Sequence, residues 1–523
     1  MAADAGDALL RAVHDHNPWW TEGVDAFDLP VRRKSDYYHL ARPDEPGSQF
    51  EDQPLLGLVG RRGVGKTTLL HQFVHDSIAE DGLAPERFCY LPFDADPLYQ
   101  LRSDDQLRRT VRYYESRIVG RLDEEAPQFL LLDDVHRIEH PDKSRIDGWG
   151  TPVADLLDPG ARYVAVTASA AVQARRELER AGVDEDRYDV QPILPEKFRD
   201  HLFSRFDDLE ADDDRRVSPS PFRTGEGSLP HAVTSGDLEP LVETFRTAHR
   251  KVAGYERRIQ SQVVEFLAMG GTISYAHSGD DVRSAGDLPA GAYDSLREDV
   301  RDALYQDVPG FESIKTIADL ERLCALAARS RARTPVPFRE LADLFDVDRR
   351  TIADSYLSAL SRMYVLDGVT EYDNRRPRAV RLYLRDTGLA TALAWGSAAA
   401  VRNDFDHEAE LARVSGFDHT MRLEYGVRSA HSGADAPPDV RYWRGDDGEV
   451  DYVFDVAETP VPVGLAYRPG DRADSLAAVR EFQATYDAPL GLLLTGDTVP
   501  DEDPVTLAEG VVEVPFWLYL LIC

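Results

Sequence analysis

The run Gly60-Arg61-Arg62-Gly63-Val64-Gly65-Lys66-Thr67 constrains this chain more than any other stretch of it. It fits the pattern GxxxxGK[ST] in full. Its flanks agree, with an apolar, β-type run at Leu55–Val59 before it and the helix-forming Thr68-Leu69-Leu70-His71-Gln72-Phe73 after it. A strand, a glycine turn and a helix N-terminus in that order turn several backbone N–H groups toward one point, and the helix end adds positive potential. That is a cradle for phosphate. Gly60, Arg61, Arg62, Gly63, Val64, Gly65, Lys66, Thr67 and Thr68 are the predicted binding residues. Lys66 is expected to reach the β- and γ-phosphates, and the Thr67 hydroxyl to ligate Mg²⁺.

A loop of this kind needs an acidic partner at the end of a neighbouring strand. Phe129-Leu130-Leu131-Leu132-Asp133-Asp134 supplies one. Asp133 is expected to hold Mg²⁺ through water, and Asp134 to orient an attacking water as general base. A third apolar run, Tyr163–Thr167, ends in hydroxyls. Thr167 is placed there either to sense the γ-phosphate or simply to cap a strand end. Together with Phe88–Pro92, these short β-rich runs alternate with helix-compatible stretches. That pattern predicts an α/β fold with a parallel sheet, of the P-loop NTPase type.

Composition narrows the remaining classes. The chain has 523 residues, a net charge of −34 and 42% hydrophobic residues, so it builds cores and is not a disordered acidic tail. Its only lysines are Lys34, Lys66, Lys143, Lys197, Lys251 and Lys315, which leaves 54 arginines among 60 basic residues. An acidic surface so poor in lysine suits a halophilic archaeon, where molar salt screens the self-repulsion. Cys89, Cys324 and Cys523 make neither a disulfide framework nor a zinc cluster. The first ten residues lack a signal-peptide pattern, and the longest apolar run, Val514–Cys523, is half a membrane span. A cytoplasmic protein without a membrane partner is expected.

The chain resembles archaeal and bacterial AAA-type ATPases that carry a C-terminal DUF4143 domain. Gly60–Thr68 is similar to that family's phosphate loop, with Arg62 at its arginine. Leu132-Asp133-Asp134-Val135-His136 resembles its acidic strand, and Thr167-Ala168-Ser169 its third strand end. Leu194–Leu202, Gly270-Gly271-Thr272 and Arg381–Leu389 echo further family elements. The resemblance implies ATP and Mg²⁺ as cofactors and ATP hydrolysis as the activity. Asp134 stands where the family has Glu, which is one methylene longer. Slow turnover, with ATP acting as a switch, is therefore the alternative. Arg187 maps to an arginine upstream of the family's Pro. It is open there to a role as an arginine finger between subunits, which would need self-association, or to a surface ion pair.

Residues 337–367 carry a helix–turn–helix pattern, with a helix at Phe338–Phe345, a turn at Asp346–Asp348 and a second helix from there to Met363. Tyr364–Thr370 and Val380–Leu384 are predicted to form a wing hairpin. From Arg329 to Arg385 there are twelve arginines and eight acids, a local charge of +4. Arg349, Arg350 and Arg362 are the candidate contacts to double-stranded DNA; a rigid spacer or protein contact is the other reading.

The resemblance gives the last domain a PD-(D/E)xK nuclease fold. Glu449–Val453 matches its first strand, with Asp451 as the metal-binding acid and Glu408 or Glu410 upstream. Gly464 and Ala466 stand where Glu and Lys belong, and no lysine follows Lys315. Nuclease activity is therefore not expected, and the domain is read as binding a protein partner, or DNA without cutting it. The organisation that follows is a 1–50 N-terminal segment, a 51–204 P-loop ATPase domain, a 205–310 acidic insertion and helical lid, a 311–378 winged helix–turn–helix and a 379–523 DUF4143-like domain. The expected function is an ATPase whose Mg-ATP state rearranges the winged helix and the C-terminal domain. A nucleotide-gated DNA-binding regulator is the alternative.

Overall fold

The computed structural model describes residues 2–29, 53–95, 104–122, 127–138, 148–158, 161–206, 225–277, 282–310, 312–330, 332–394, 401, 404–432, 439–446, 448–496 and 504–523. The core of the predicted acidic insertion, 207–224, and the Pro/Gly-rich stretch near 43–52 lie outside them. The chain divides into two compact units. One comprises Met1–Leu194, Glu298–Ile317 and Arg362–Tyr364; the other comprises Pro195–Arg297, Ala318–Ser361 and Val365–Cys523.

The first unit is built on a parallel sheet of β1 (Leu55–Val59), β2 (Phe88–Pro92), β3 (Gln128–Asp133), β4 (Arg162–Ala168) and β5 (Tyr188–Pro192), in the order β2-β3-β4-β1-β5. β1 and β2 are buried along their whole length, as continuous apolar strands must be when helices cover both faces of a sheet. Apolar clusters fill both faces, one around Leu130, Val164 and Tyr114, the other around Leu131, Phe73 and Phe129. β2 is an edge strand, and the aromatic cluster near the N-terminus covers it. Asn17 exchanges hydrogen bonds with the Tyr90 backbone, and the indole N–H groups of Trp19 and Trp20 both donate to the Phe88 carbonyl. An edge so capped offers no free ladder to another strand.

Residues 292–329 do not form one helix. A helix at Ala292–Asp302 passes into a π-helical turn, Ala303–Asp307, and the chain resumes as a helix only at Ile317–Arg329. Pro309 and Gly310 lie in the gap, where neither supports helix continuation.

The second unit holds two sheets. A small one joins β6 (Val336–Pro337), β7 (Leu366–Val369) and β8 (Ala379–Leu384), with β8 central and antiparallel to both. Ahead of β7 come the helix Phe338–Phe345, a π-helical turn at Thr351–Leu357 and the helix Ser358–Arg362. The larger sheet contains β9 (Arg441–Arg444), β10 (Glu449–Val456), β11 (Thr459–Ala466), β12 (Gly491–Thr495), β13 (Thr506–Ala508) and β14 (Val511–Pro515) in the order β13-β14-β12-β11-β10-β9. The helix Phe405–Ser432 precedes β9, and Arg472–Tyr486 connects the parallel pair β11 and β12.

Two family-like elements distant in sequence meet in this unit. The helix Glu256–Ala276 breaks at Gly270, whose φ is +67°, and an added Cβ there would collide with Asp386 and Gly388. Asp386 accepts from the backbone N–H groups of Thr272, Gly388 and Leu389. Next to it, Arg385 bridges Asp367 at 3.0 Å and Asp418 at 2.8 Å, and Arg422 reaches Asp418 at 2.7 Å.

Burial alone would push the Asp418 carboxyl up, but Arg422 and Arg385 outweigh it and hold it at about 2. A depressed carboxylate stabilises the fold fully above the unfolded value of about 4 and loses that contribution as pH falls through the folded one. Asp418→Asn should therefore lie on the order of 2 kcal/mol below the wild type at pH 7 and converge on it in acid. Denaturant unfolding across that range, at fixed salt, measures the gap.

Candidate nucleotide site

The phosphate loop leaves the C-terminal end of β1, the strand flanked by β4 and β5. The Gly60 N–H donates to Ala168 O at 3.0 Å, and the Ile193 N–H to Val59 O, so both neighbours anchor the turn. Gly63 and Gly65 take φ of +78° and +91°, left-handed values that bring the chain sharply into the helix Lys66–Ala79. That helix has no acid in its first turn, so its positive end is unopposed. Lys66 is buried and donates to the carbonyls of Gly60 at 2.8 Å and Arg61 at 3.2 Å. Arg61 and Val64 are buried, while Arg62 turns outward from the loop toward acids farther along the chain.

Asp133 ends β3 and is almost fully buried. Three hydroxyls donate to it. Thr67 and Tyr90 bond Oδ2 at 2.7 and 2.8 Å, and Thr167 bonds Oδ1. Burial and the adjacent Asp134 charge push the Asp133 carboxyl up from the ordinary carboxylate range, and the three hydroxyls pull against that. Asp134 follows with a left-handed φ of 58°, and its N–H donates to Thr167 Oγ1 at 2.8 Å. Lys66, Thr67, Asp133, Asp134 and Thr167 thus converge on one end of the sheet. Arg187 does not. It precedes β5 in a single 3₁₀ turn, at the end of the sheet remote from the loop, so within one chain it is far from this site.

Two groups here carry no motif. Tyr90 comes from the strand beyond β3, and nothing in an apolar run announces that its hydroxyl meets Asp133. Asp307 comes from the π-helical turn and is 1% exposed. It accepts from Ser169 at 2.7 Å and Arg137 at 3.0 Å, and lies 3.2 Å from His136 Nε2 and 3.4 Å from Arg62 Nε. Burial opposes its ionisation, yet His136, Arg62 and Ser169 together hold its carboxyl well below the usual range. On the same arm Asp302 stands 4.0 Å from Arg62, and Asp299 packs against the backbone of Gly63.

The other candidates fall in the second unit, except Arg362. Arg349 and Arg350 are exposed, and Arg350 pairs with Asp354 at 3.1 Å. Arg362 belongs to the first unit and pairs with Glu312 at 3.2 Å. Asp451 is buried on β10, where it accepts from the Leu465 N–H and faces Arg413 Nε at 3.9 Å. Glu408 accepts from the Tyr467 hydroxyl at 2.6 Å, and Glu410 is half-buried. Among the described residues no group of three or more His, Cys, Asp or Glu could hold a metal ion, and no helix is long and apolar enough to cross a membrane.

The sheet order, the loop and the acidic strand define the class, and the comparisons agree with it. Residues 52–202 match the family model of an AAA domain, so this portion is an AAA-type P-loop ATPase domain. A second model, a domain of unknown function named DUF8612, matches residues 285–399. That match spans the end of the expected lid, the expected winged helix–turn–helix and the start of the expected DUF4143-like domain. An uncharacterized protein of Methanocaldococcus jannaschii is 21% identical over 396 residues, covering 74% of this chain and 72% of its own length. A Walker-type ATPase of Pyrococcus abyssi is 13% identical with a TM-score of 0.31, covering 71% of this chain and 99% of its own. The ORC2 protein of Aeropyrum pernix, in ADPNP–ADP complexes, is 12% identical with a TM-score of 0.34, covering 74% and 96%. Superpositions this loose bear on neither function nor domain arrangement.

Thr167 is fully buried and serves Asp133 and the Asp134 N–H at once. Thr167→Val keeps the shape but leaves both without that partner, at about 1–3 kcal/mol. Unfolding midpoints of the two proteins in the same salt check this.

Proposed function

We propose that this protein binds Mg-ATP at the loop Gly60–Thr68 and hydrolyses it. The observation that carries the reading is the convergence of Lys66, Thr67, Asp133, Asp134 and Thr167 at the C-terminal end of one parallel sheet. The loop N–H groups and Lys66 would hold the phosphates, with the Lys66 ammonium leaving its carbonyl partners for the β- and γ-oxygens. The residues fit Mg²⁺: Thr67 presents a hydroxyl beside an acid whose second oxygen is also hydrogen-bonded, the hard oxygen donors that ion prefers. When bound, the ion neutralises charge developing on the phosphate oxygens. Thr67 and Asp133 hold it, Asp134 takes the proton of the attacking water, and Thr167 keeps both acids oriented.

The finer reading concerns the second unit. We infer that ATP state is passed to the helical and hairpin elements at 338–384, and that these elements are a winged helix–turn–helix. What supports contact with double-stranded DNA is a groove of about 750 Å³ in the second unit, bordered by Arg349, Arg350, Arg378 and Arg441 together with Asp354, Asp367 and Asp439. The helix Phe405–Ser432, the strands β9 to β11, the helix Arg472–Tyr486 and β12 make up the region read here as nuclease-like. The Asp451 carboxylate is engaged by Arg413 and a backbone N–H, which supports a domain that contacts a partner without cutting DNA.

The alternative, a nucleotide-gated DNA-binding regulator, is favoured by the short Asp134 side chain. ATP turnover in molar KCl, with and without duplex DNA, separates the two. Lys66→Ala should abolish turnover, and Asp134→Asn should lower kcat by about 10²–10⁴-fold with binding kept. Turnover that DNA raises supports the coupled ATPase. ATP that binds without hydrolysis supports the regulator, and turnover that survives Lys66→Ala overturns the assignment of the site.

A further inference from the structure

We propose that Asp307 is a positioning residue for ATP hydrolysis, acting through His136. The inference rests on the ATPase reading above and concerns a residue outside the matched AAA segment, 52–202. Its ground is geometric. One carboxylate, 1% exposed, gathers side chains from three elements that form the nucleotide site. Arg62 comes from the phosphate loop, His136 and Arg137 from the turn after the acidic strand, and Ser169 from the end of β4. Each of these elements also carries a residue of the proposed chemistry: Lys66 and Thr67, Asp133 and Asp134, and Thr167.

Burying a carboxylate costs several kcal/mol unless its partners are all in place. The cluster therefore holds together as one arrangement or not at all, and it fixes the spacing between loop, acid and strand end. The His136 ring is the link to the chemistry. Its Nε2 faces Asp307, so that nitrogen carries the proton, and its Nδ1 lies 3.9 Å from Asp134 Oδ1. Nδ1 is buried with no hydrogen-bond partner, so Asp307 sets which face of the imidazole is turned to the general base. Arg62 is likewise held by Asp307 and Asp302, with Nη2 buried and unbonded. The π-helical turn that supplies Asp307 is a rare form found frequently at functional sites.

The experiment compares wild type, Asp307→Asn, His136→Leu and the double variant in molar KCl, reading kcat and the affinity for a fluorescent ATP analogue. Asp307→Asn should lower kcat by about 10–100-fold while the affinity stays within a few fold, because Lys66 and the loop N–H groups are untouched. The double variant should be no slower than the slower single one, since both act through one link. Equal kcat in Asp307→Asn and wild type, additive losses in the double variant, or affinity and kcat falling together overturns the inference. If Asp307→Asn does not fold, His136→Leu carries the same test, and a wild-type rate in it is the contrary result. A wild type that neither binds nor hydrolyses ATP removes the ATPase reading and this inference with it. A wild type that hydrolyses ATP beside an equally fast Asp307→Asn removes this inference alone.

Discussion

A carboxylate buried at the end of β3 has to be given donors, and the way Asp133 obtains them sets the layout of the first unit. Its three hydroxyls come from different elements: Thr67 at the start of the helix after the loop, Tyr90 on β2, and Thr167 on β4. Tyr90 and Thr167 meet it because the parallel registers place Pro92 opposite Asp133 on one side of β3 and Val166 opposite Leu132 on the other. A slip of one residue in either ladder would turn those side chains to the other face. The sheet order and the site are thus the same fact seen at two scales. The fold is arranged around a charge that burial disfavours and that hydroxyl donors offset.

The second unit shows what arginine does in a chain with so little lysine. The local excess of arginine at 329–385 reads from sequence as a surface for phosphate, but several of those arginines are interior. Arg381 is fully buried, with Glu449 at 2.6 Å and the Tyr442 ring 4.0 Å from its guanidinium carbon. Arg385 spans two aspartates, and Arg362 belongs to the other unit. Those that face outward include Arg329, Arg339, Arg349, Arg350 and the arginines of the β7–β8 connection. A planar guanidinium makes several directed bonds at once, so it serves buried bridges that an ammonium cannot. A count of charge along the chain does not separate that use from recognition.

Four of the five parallel strands were legible because apolar residues dominate them. β5 was not, since Tyr188-Asp189-Val190-Gln191-Pro192 is polar at alternate positions and lies at the sheet edge. The loop and the acidic strand were legible as motifs, because their residue types are dictated by phosphate and metal chemistry. Tyr90 and Asp307 were not legible. One is an aromatic in a buried strand, and the other is one acid among 94. Both are defined by where the chain returns rather than by their neighbours in sequence. The interruption at Pro309-Gly310 was readable from those residues, but the π-helical turn before it, which carries Asp307, had no local signal.

The claim on which everything else stands is that the loop Gly60–Thr68 receives Mg-ATP. Calorimetric titration of the protein with ATP in molar KCl, with Mg²⁺ and then with a chelator, tests it most directly. One site per chain, weakened by removing the metal and lost in Lys66→Ala, is the predicted result. No heat of binding, or binding that Lys66→Ala leaves intact, would contradict it.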